Sequence, residues 1–258
     1  MAKARALMLA TLSPAKTLDY AKSFPAADET SPRFAAESAI LASAAAELSV
    51  ERLRALMDIS ETLATLNVER YRGFDGMPTR PAIFAFAGDV YTGFEARSVG
   101  EEAIRFAQRH VRILSGLYGL LRPLDAIRPY RLEMGTKWAP SSGDLYGFWG
   151  NRIADLLAQD ARDDGSRTIV NLASREYWGA VEGRLPDDIR VITIDFREIG
   201  PDGLRFNSFA AKRARGMMAR FLCEHHHEDP DALKTFGSDG YAYDAKTSTD
   251  RLWRFIRN

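Results

Sequence analysis

The chain has 258 residues, of which 46% are hydrophobic and 27% charged, the balance of a soluble globular protein long enough to bury a sizeable core. Its 35 Lys and Arg equal its 35 Asp and Glu, so the field of the whole molecule does not draw it to nucleic acid; only a segregated patch could. The single cysteine, Cys223, excludes an internal disulfide and fits a reducing compartment.

The start "MAKARALMLATL" carries a short apolar run. It is too short to span a bilayer and lacks a small-residue cleavage site. The expectation is a cytoplasmic, unprocessed chain with no membrane partner. "ALMLAT" (residues 6–11) reads as the first buried strand, and "LSPAKTLDY" (residues 12–20) leaves it through Ser13-Pro14. Ala35 to Ser49 is alanine-rich and helical. Ser49 and Ser60 are placed to cap two further helices, so residues 34–72 read as a run of helices with tight joints. After a turn-rich break at 73–81, "AIFAFAGDVY" (82–91) predicts a second buried strand and "VGEEAIRFAQRH" (99–110) an amphipathic helix. "VRILSGLYGLLRPLD" (111–125) starts as a strand and ends in a glycine-punctuated loop. "YGFWGNRIADLLAQDA" (146–161) predicts one helix, "RTIVNLAS" (167–174) a strand, and "REYWGAV" (175–181) a helical piece. "IRVITIDFRE" and "LRFNSF", joined by "IGPDG" (199–203), predict a hairpin. Phe209–Cys223 is the last strong helix, and the tail closes with an aromatic strand. No linker divides the chain. The pattern predicts a single compact α/β (mixed α+β) domain over 1–258, a mixed sheet flanked by helices.

Charge is segregated although it sums to zero. Residues 104–137 hold Arg105, Arg109, Arg112, Arg122, Arg128, Arg131 and Lys137 against Asp125 and Glu133 alone, and residues 204–221 hold five cations and no acid. On a helical wheel Ala210, Ala214, Met217, Met218, Phe221 and Leu222 share one arc of the last helix. Lys212, Arg213 and Arg220 fall opposite, with Arg215 at the border and Gly216 within the basic arc. A mid-helix glycine costs about 1 kcal/mol against alanine, which close approach of a phosphate or of a neighbouring chain would explain. A solvated basic face is the simpler alternative.

Ser13-Pro14-Ala15-Lys16 has the Ser-x-x-Lys spacing of acylating serines, but the companion Ser-Asp-Asn and Lys-Thr-Gly motifs are absent. The loop reads better as an anion site with Ser13, Lys16 and Thr17. Asp89, just after an apolar run, is either a turn residue or a general base. Asn171, Ser174 and Glu176 follow a strand and could line the same strand-end crevice as Ser13. The loop 114–135 interleaves glycines, two Arg-Pro steps and Tyr118 and Tyr130 with basic residues, a combination suited to a single strand or a distorted duplex, or else to a rigid structural loop tied by pairs such as Arg131–Glu133. His225–His227 with Cys223 could touch a metal, but no matching ligand pair occurs elsewhere, and the segment reads as a polar helix end.

"SPAKTLDY", "FAGDVYTG", "LSGLYGLLRPLD" with "PYRLEMG", "NLAS" and "FAAKRARGMMARF" together resemble the YaaA family of bacterial peroxide stress resistance proteins, in the same order along nearly the whole chain. The resemblance implies a cytoplasmic protein linked to survival of hydrogen peroxide and to limiting damage from unincorporated iron. It implies a single mixed-sheet domain that binds DNA beside a positively charged groove, with a helix-hairpin-helix-like element. It carries over no catalytic residue. The element is best matched by Val50 to Tyr71, although its joint, Met57-Asp58-Ile59-Ser60, has an aspartate where such hairpins carry glycine.

The expectation is therefore DNA, double-stranded or distorted, held without sequence specificity by Lys16, Arg122, Arg131, Lys212, Arg213, Arg215 and Arg220, with Gly216 allowing close approach. No metal, no cofactor and no obligate protein partner is expected. The alternative is an enzyme acting on a nucleotide, base or damaged DNA, with Ser13, Lys16, Asp89 and Glu176 as candidate catalytic residues.

Overall fold

The computed structural model describes residues 8–258. The first strand, β1 (Leu9–Leu12), is fully buried; Ala6 and Leu7, assigned above to the same strand, lie outside the described residues. Then come β2 (Thr17–Leu18) and three helices, α1 (Ala35–Ala46), α2 (Val50–Met57) and α3 (Glu61–Arg72). The joints obey the caps read from the sequence. Ser49 Oγ accepts the Arg52 N–H at 3.2 Å and Ser60 Oγ accepts the Leu63 N–H at 3.3 Å. Asp58 makes the turn between α2 and α3 in the left-handed region, with φ 48°, a conformation that a short polar side chain tolerates.

Residues 82–91 depart from the expected strand. They form α4 (Ala82–Ala85), β4 (Phe86–Ala87) and the start of α5 (Asp89–Phe94), preceded by β3 (Arg80–Pro81). An unbroken apolar run reports burial and not period, so strand and helix look alike. The deciding partners are the carbonyls of Asp125 and Pro123, which accept the N–H groups of Ala82 and Ile83 at 2.9 Å each, and these belong to a loop rather than to a neighbouring strand.

The helix α6 (Glu101–His110) leads into β5 (Val111–Ser115), and β6 (Gly119–Leu121) turns back antiparallel to it. β7 (Ala126–Ile127) pairs with β3. The single helix expected over 146–161 is two, α7 (Leu145–Trp149) and α8 (Arg152–Asp163). Gly150 separates them with φ 51° and ψ −125°, a backbone conformation that glycine alone adopts readily, and so ends α7. Next come β8 (Thr168–Asn171), the single turn α9 (Arg175–Trp178), the long β9 (Arg190–Gly200), β10 (Gly203–Arg205), α10 (Ser208–Glu224), β11 (Ala242–Tyr243) and β12 (Leu252–Arg257). The hairpin read around "IGPDG" is the β9–β10 pair.

The main sheet is mixed and mostly parallel, in the order β11-β12-β9-β8-β1-β5-β6, with β10 on β9. β5, β1, β8, β9 and β12 run parallel. Numbered by their order along the chain, these five strands lie 2-1-3-4-5. The chain leaves β1 for β5 on one side and returns to β8 on the other. Doubly wound sheets open a crevice at such a reversal, outside the carboxyl ends of the strands. The register sets Thr11 beside Asn171, so the exits of β1 and β8 lie side by side. One continuous apolar cluster, with Trp149, Trp253, Phe84 and Phe196 among its largest members, fills the interior. Among the described residues no helix is long and apolar enough to cross a membrane.

Candidate functional site

Four separate segments meet at the carboxyl ends of β1 and β8. Ser13, directly after β1, is buried, and its Oγ accepts the Ser174 N–H at 2.8 Å while its hydroxyl donates to Ser174 Oγ at 3.3 Å. Beneath them Thr11 Oγ1 donates to Asn171 Oδ1, which also accepts the Ala173 N–H at 2.9 Å, so the loop after β8 is fixed by the strand beside it. Tyr91, from α5, donates its hydroxyl to the Ser13 carbonyl at 3.0 Å. Gly88 closes on the same loop: a Cβ there would stand 3.2 Å from the Ala15 side chain. Asp89 follows, half-buried, with no side-chain hydrogen bond among the described residues.

The fourth segment is Arg131–Gly135. Lys16 Nζ lies 2.6 Å from Glu133 Oε2, and Arg131 Nη2 donates to Glu133 Oε1 at 3.0 Å. One carboxylate therefore bridges two cations. Arg131 Nε is buried with no acceptor. Glu176 turns the other way and accepts the Gly135 N–H at 3.0 Å, while its carbonyl accepts the Tyr146 hydroxyl at 2.8 Å. Burial, then Glu176 and Asp144, push the Tyr146 hydroxyl above its ordinary range. Burial raises the Tyr177 hydroxyl further, aided by Tyr130 and by Glu176 and Glu133, so both phenols are neutral donors here.

Three of the candidate catalytic residues stand in this arrangement: Ser13, Lys16 and Glu176. Asp89 is at its edge. Glu133 was not singled out as a site residue, because in sequence it looks like a counter-charge within a basic loop. Only the fold brings Lys16 onto it from more than a hundred residues away.

The remaining cations lie elsewhere, and two of the five, Arg122 and Arg220, are paired with carboxylates. Arg122 Nε and Nη2 both reach Asp125 Oδ1, at 3.1 and 2.8 Å, and Nη2 also reaches the Ser31 carbonyl. Asp125 is fully buried, so Arg122 ties the loop together. Arg220 is spread over Glu95, Glu224, Ser98 and the Phe94 carbonyl. Arg215 turns inward: its Nε is buried without an acceptor, and burial lowers its pKa. Gly216 requires a correction. It is not on an open basic arc but buried in the crossing of α10 with α5, so no phosphate reaches it. Lys212 and Arg213 are exposed, and neither pairs with a carboxylate among the described residues. The α2–α3 element presents Asp58, Glu61 and Glu69 to solvent beside exposed Arg52, Arg54 and Arg72, so its surface charge is mixed.

The family described as peroxide stress protein YaaA matches residues 8–247. The chain belongs to that family. A relative from Rhizorhabdus wittichii, called a UPF0246 protein, is 60% identical over 97% of this chain and 99% of its own length. UPF0246 proteins of Burkholderia mallei strain SAVP1 and Burkholderia pseudomallei strain K96243 are each 46% identical over 97% of this chain and 98% of theirs.

For a member of a peroxide stress family the lone thiol is the first residue to weigh. Cys223 is fully buried in α10, and burial pushes its thiol far above the ordinary range. A thiol without thiolate character or access is a poor peroxide nucleophile. Among the described residues no group of three or more His, Cys, Asp or Glu side chains is arranged to hold a metal ion.

Proposed function

We propose that the protein serves the peroxide stress response by binding DNA without sequence specificity, on the surface formed by the β9–β10 hairpin and the first half of α10. The observation that carries this reading is the pair Lys212 and Arg213, exposed beside two solvent-facing aromatics, Phe206 at 50% and Phe209 at 70% exposure. Lys212 Nζ stands 5.9 Å over the Phe209 ring and Arg197 Cζ 5.3 Å over the Phe206 ring. The surrounding carboxylates are outnumbered. Asp195 is shared by Arg197 and Arg254, and Glu198 by Arg205 and Arg257.

Cations supply phosphate attraction, and exposed rings supply faces on which unstacked bases rest. The combination favours single-stranded or distorted DNA over regular duplex. DNA covered in this way is shielded from peroxide and iron chemistry. Fluorescence anisotropy with labelled single-stranded and duplex oligonucleotides tests the reading. Lys212→Glu with Arg213→Glu should weaken binding at least tenfold, and Phe206→Ala with Phe209→Ala should weaken single-strand binding more than duplex binding. Unchanged affinity in the charge-reversed protein moves the interface off α10.

A further inference from the structure

We infer that the crevice between the exits of β1 and β8 is a second site, for a small phosphate-bearing ligand, in which Lys16 and Arg131 are the anchors and Glu133 is an internal anion that the ligand displaces. The inference is independent of the DNA reading, which rests on other residues.

The first ground is position. The 2-1-3-4-5 order of the parallel strands puts the reversal of winding between β1 and β8, and in open α/β sheets ligands sit outside the carboxyl ends at that point. Here that edge is built by four segments remote in sequence, which meet through Ser13 and Ser174, Lys16 and Glu133, Ala15 and Gly88, and Gly135 and Glu176.

The second ground is the balance of donors and acceptors. Glu133 gives one oxygen to Lys16 and the other to Arg131 Nη2. Arg131 Nε, buried, has nothing to donate to. The clamp thus holds more donors than one carboxylate satisfies. A phosphate group offers three oxygens, enough for Lys16 and for two guanidinium nitrogens. Lys16 is 60% exposed at the side chain while Glu133 is 18% exposed, so the lysine stands at the mouth and the carboxylate behind it. The neighbouring acid Glu176 does not fill the clamp, because its carboxylate is turned onto the Gly135 amide. Ser13 and Ser174 hold the floor in one geometry through their mutual hydrogen bonds.

The test is calorimetric titration of the whole protein with pyrophosphate, ADP and adenosine. Pyrophosphate and ADP should bind and adenosine should not. Lys16→Ala, a change at an exposed side chain that leaves folding intact, should weaken pyrophosphate at least tenfold. Glu133→Gln, which removes the internal competitor, should tighten it about tenfold. Amide resonances of Ser174 and Gly135 should shift on saturation. The Lys212→Glu, Arg213→Glu protein should bind pyrophosphate as the wild type does while losing DNA, which separates failure of one site from failure of the other. Adenosine binding as tightly as ADP, pyrophosphate affinity unchanged by Lys16→Ala, or pyrophosphate binding lost with the α10 charges would each overturn the inference.

Discussion

The carbonyl oxygen of Val90 stands where a side chain on Gly216 would have to go: a Cβ at residue 216 lies 1.8 Å from it. The reciprocal contact is as close, since a Cβ on Gly93 lies 2.1 Å from the Arg213 carbonyl oxygen. Both obstacles are backbone, so neither can swing aside. α5 and α10 therefore cross main chain to main chain, and the glycine in the last helix is there for another helix.

This crossing makes Gly216→Ala a test of sign. Helix propensity alone favours alanine by about 1 kcal/mol, whereas overpacking in a filled core costs about 1–3 kcal/mol and occasionally more. With backbone as the obstacle the steric cost wins. Gly216→Ala should lower stability by about 2 kcal/mol in urea denaturation; a stabilised variant would contradict the crossing.

Ser13→Ala removes the acceptor of the Ser174 N–H and one member of the hydroxyl pair, at a buried position. A buried donor left without a partner costs about 1–3 kcal/mol. The denaturation midpoint should fall accordingly, and Ser174→Ala should cost less in the Ser13→Ala background than in the wild type. Fully additive losses would show that the two serines do not cooperate.

Alkaline pH should unfold the protein cooperatively. Tyr71, Tyr91, Tyr118, Tyr130 and Tyr177 are buried, and burial raises every one of their hydroxyl pKa values, that of Tyr118 to about 12. Each folded pKa thus lies above the unfolded value near 10. The stability this contributes is complete below pH 10 and is lost as pH rises from there toward the folded pKa. Across that window each tyrosine costs about 1.4 kcal/mol per pH unit. The tyrosinate absorbance of these five should appear together with loss of circular dichroism; their titration near pH 10 with the fold intact would contradict the burial.

The buried thiol yields a prediction about peroxide itself. With Cys223 fully buried, thiol reagents and hydrogen peroxide should modify it only as fast as the protein opens. Rapid labelling of the native protein, or a sulfenic acid trapped at low peroxide, would place the thiol in the chemistry.

Much of the fold is legible in the sequence, for reasons that vary from element to element. The caps at Ser49 and Ser60 and the turn at 199–203 are local signals, and local hydrogen bonds honour them. Residues 82–91 mislead because an apolar run carries no period. Gly150 breaks an otherwise continuous helical pattern by one positive-φ residue. For the site, Ser13 and Ser174 are visible as strand exits, because strand ends are where α/β chains place ligands. The bridging role of Glu133 is not, since Lys16 reaches it only through the fold. Gly216 is misread because a wheel shows which face is polar, not which face another helix covers.

The DNA reading stands or falls most directly on the salt dependence of binding. Log affinity for a single-stranded oligonucleotide should fall linearly with log salt concentration in the wild type. Changing Lys212 and Arg213 to glutamine should make that slope shallower by about 1.4, roughly 0.7 for each single-strand phosphate contact removed. A flat salt response, or a slope that the two substitutions leave unchanged, would contradict the assignment.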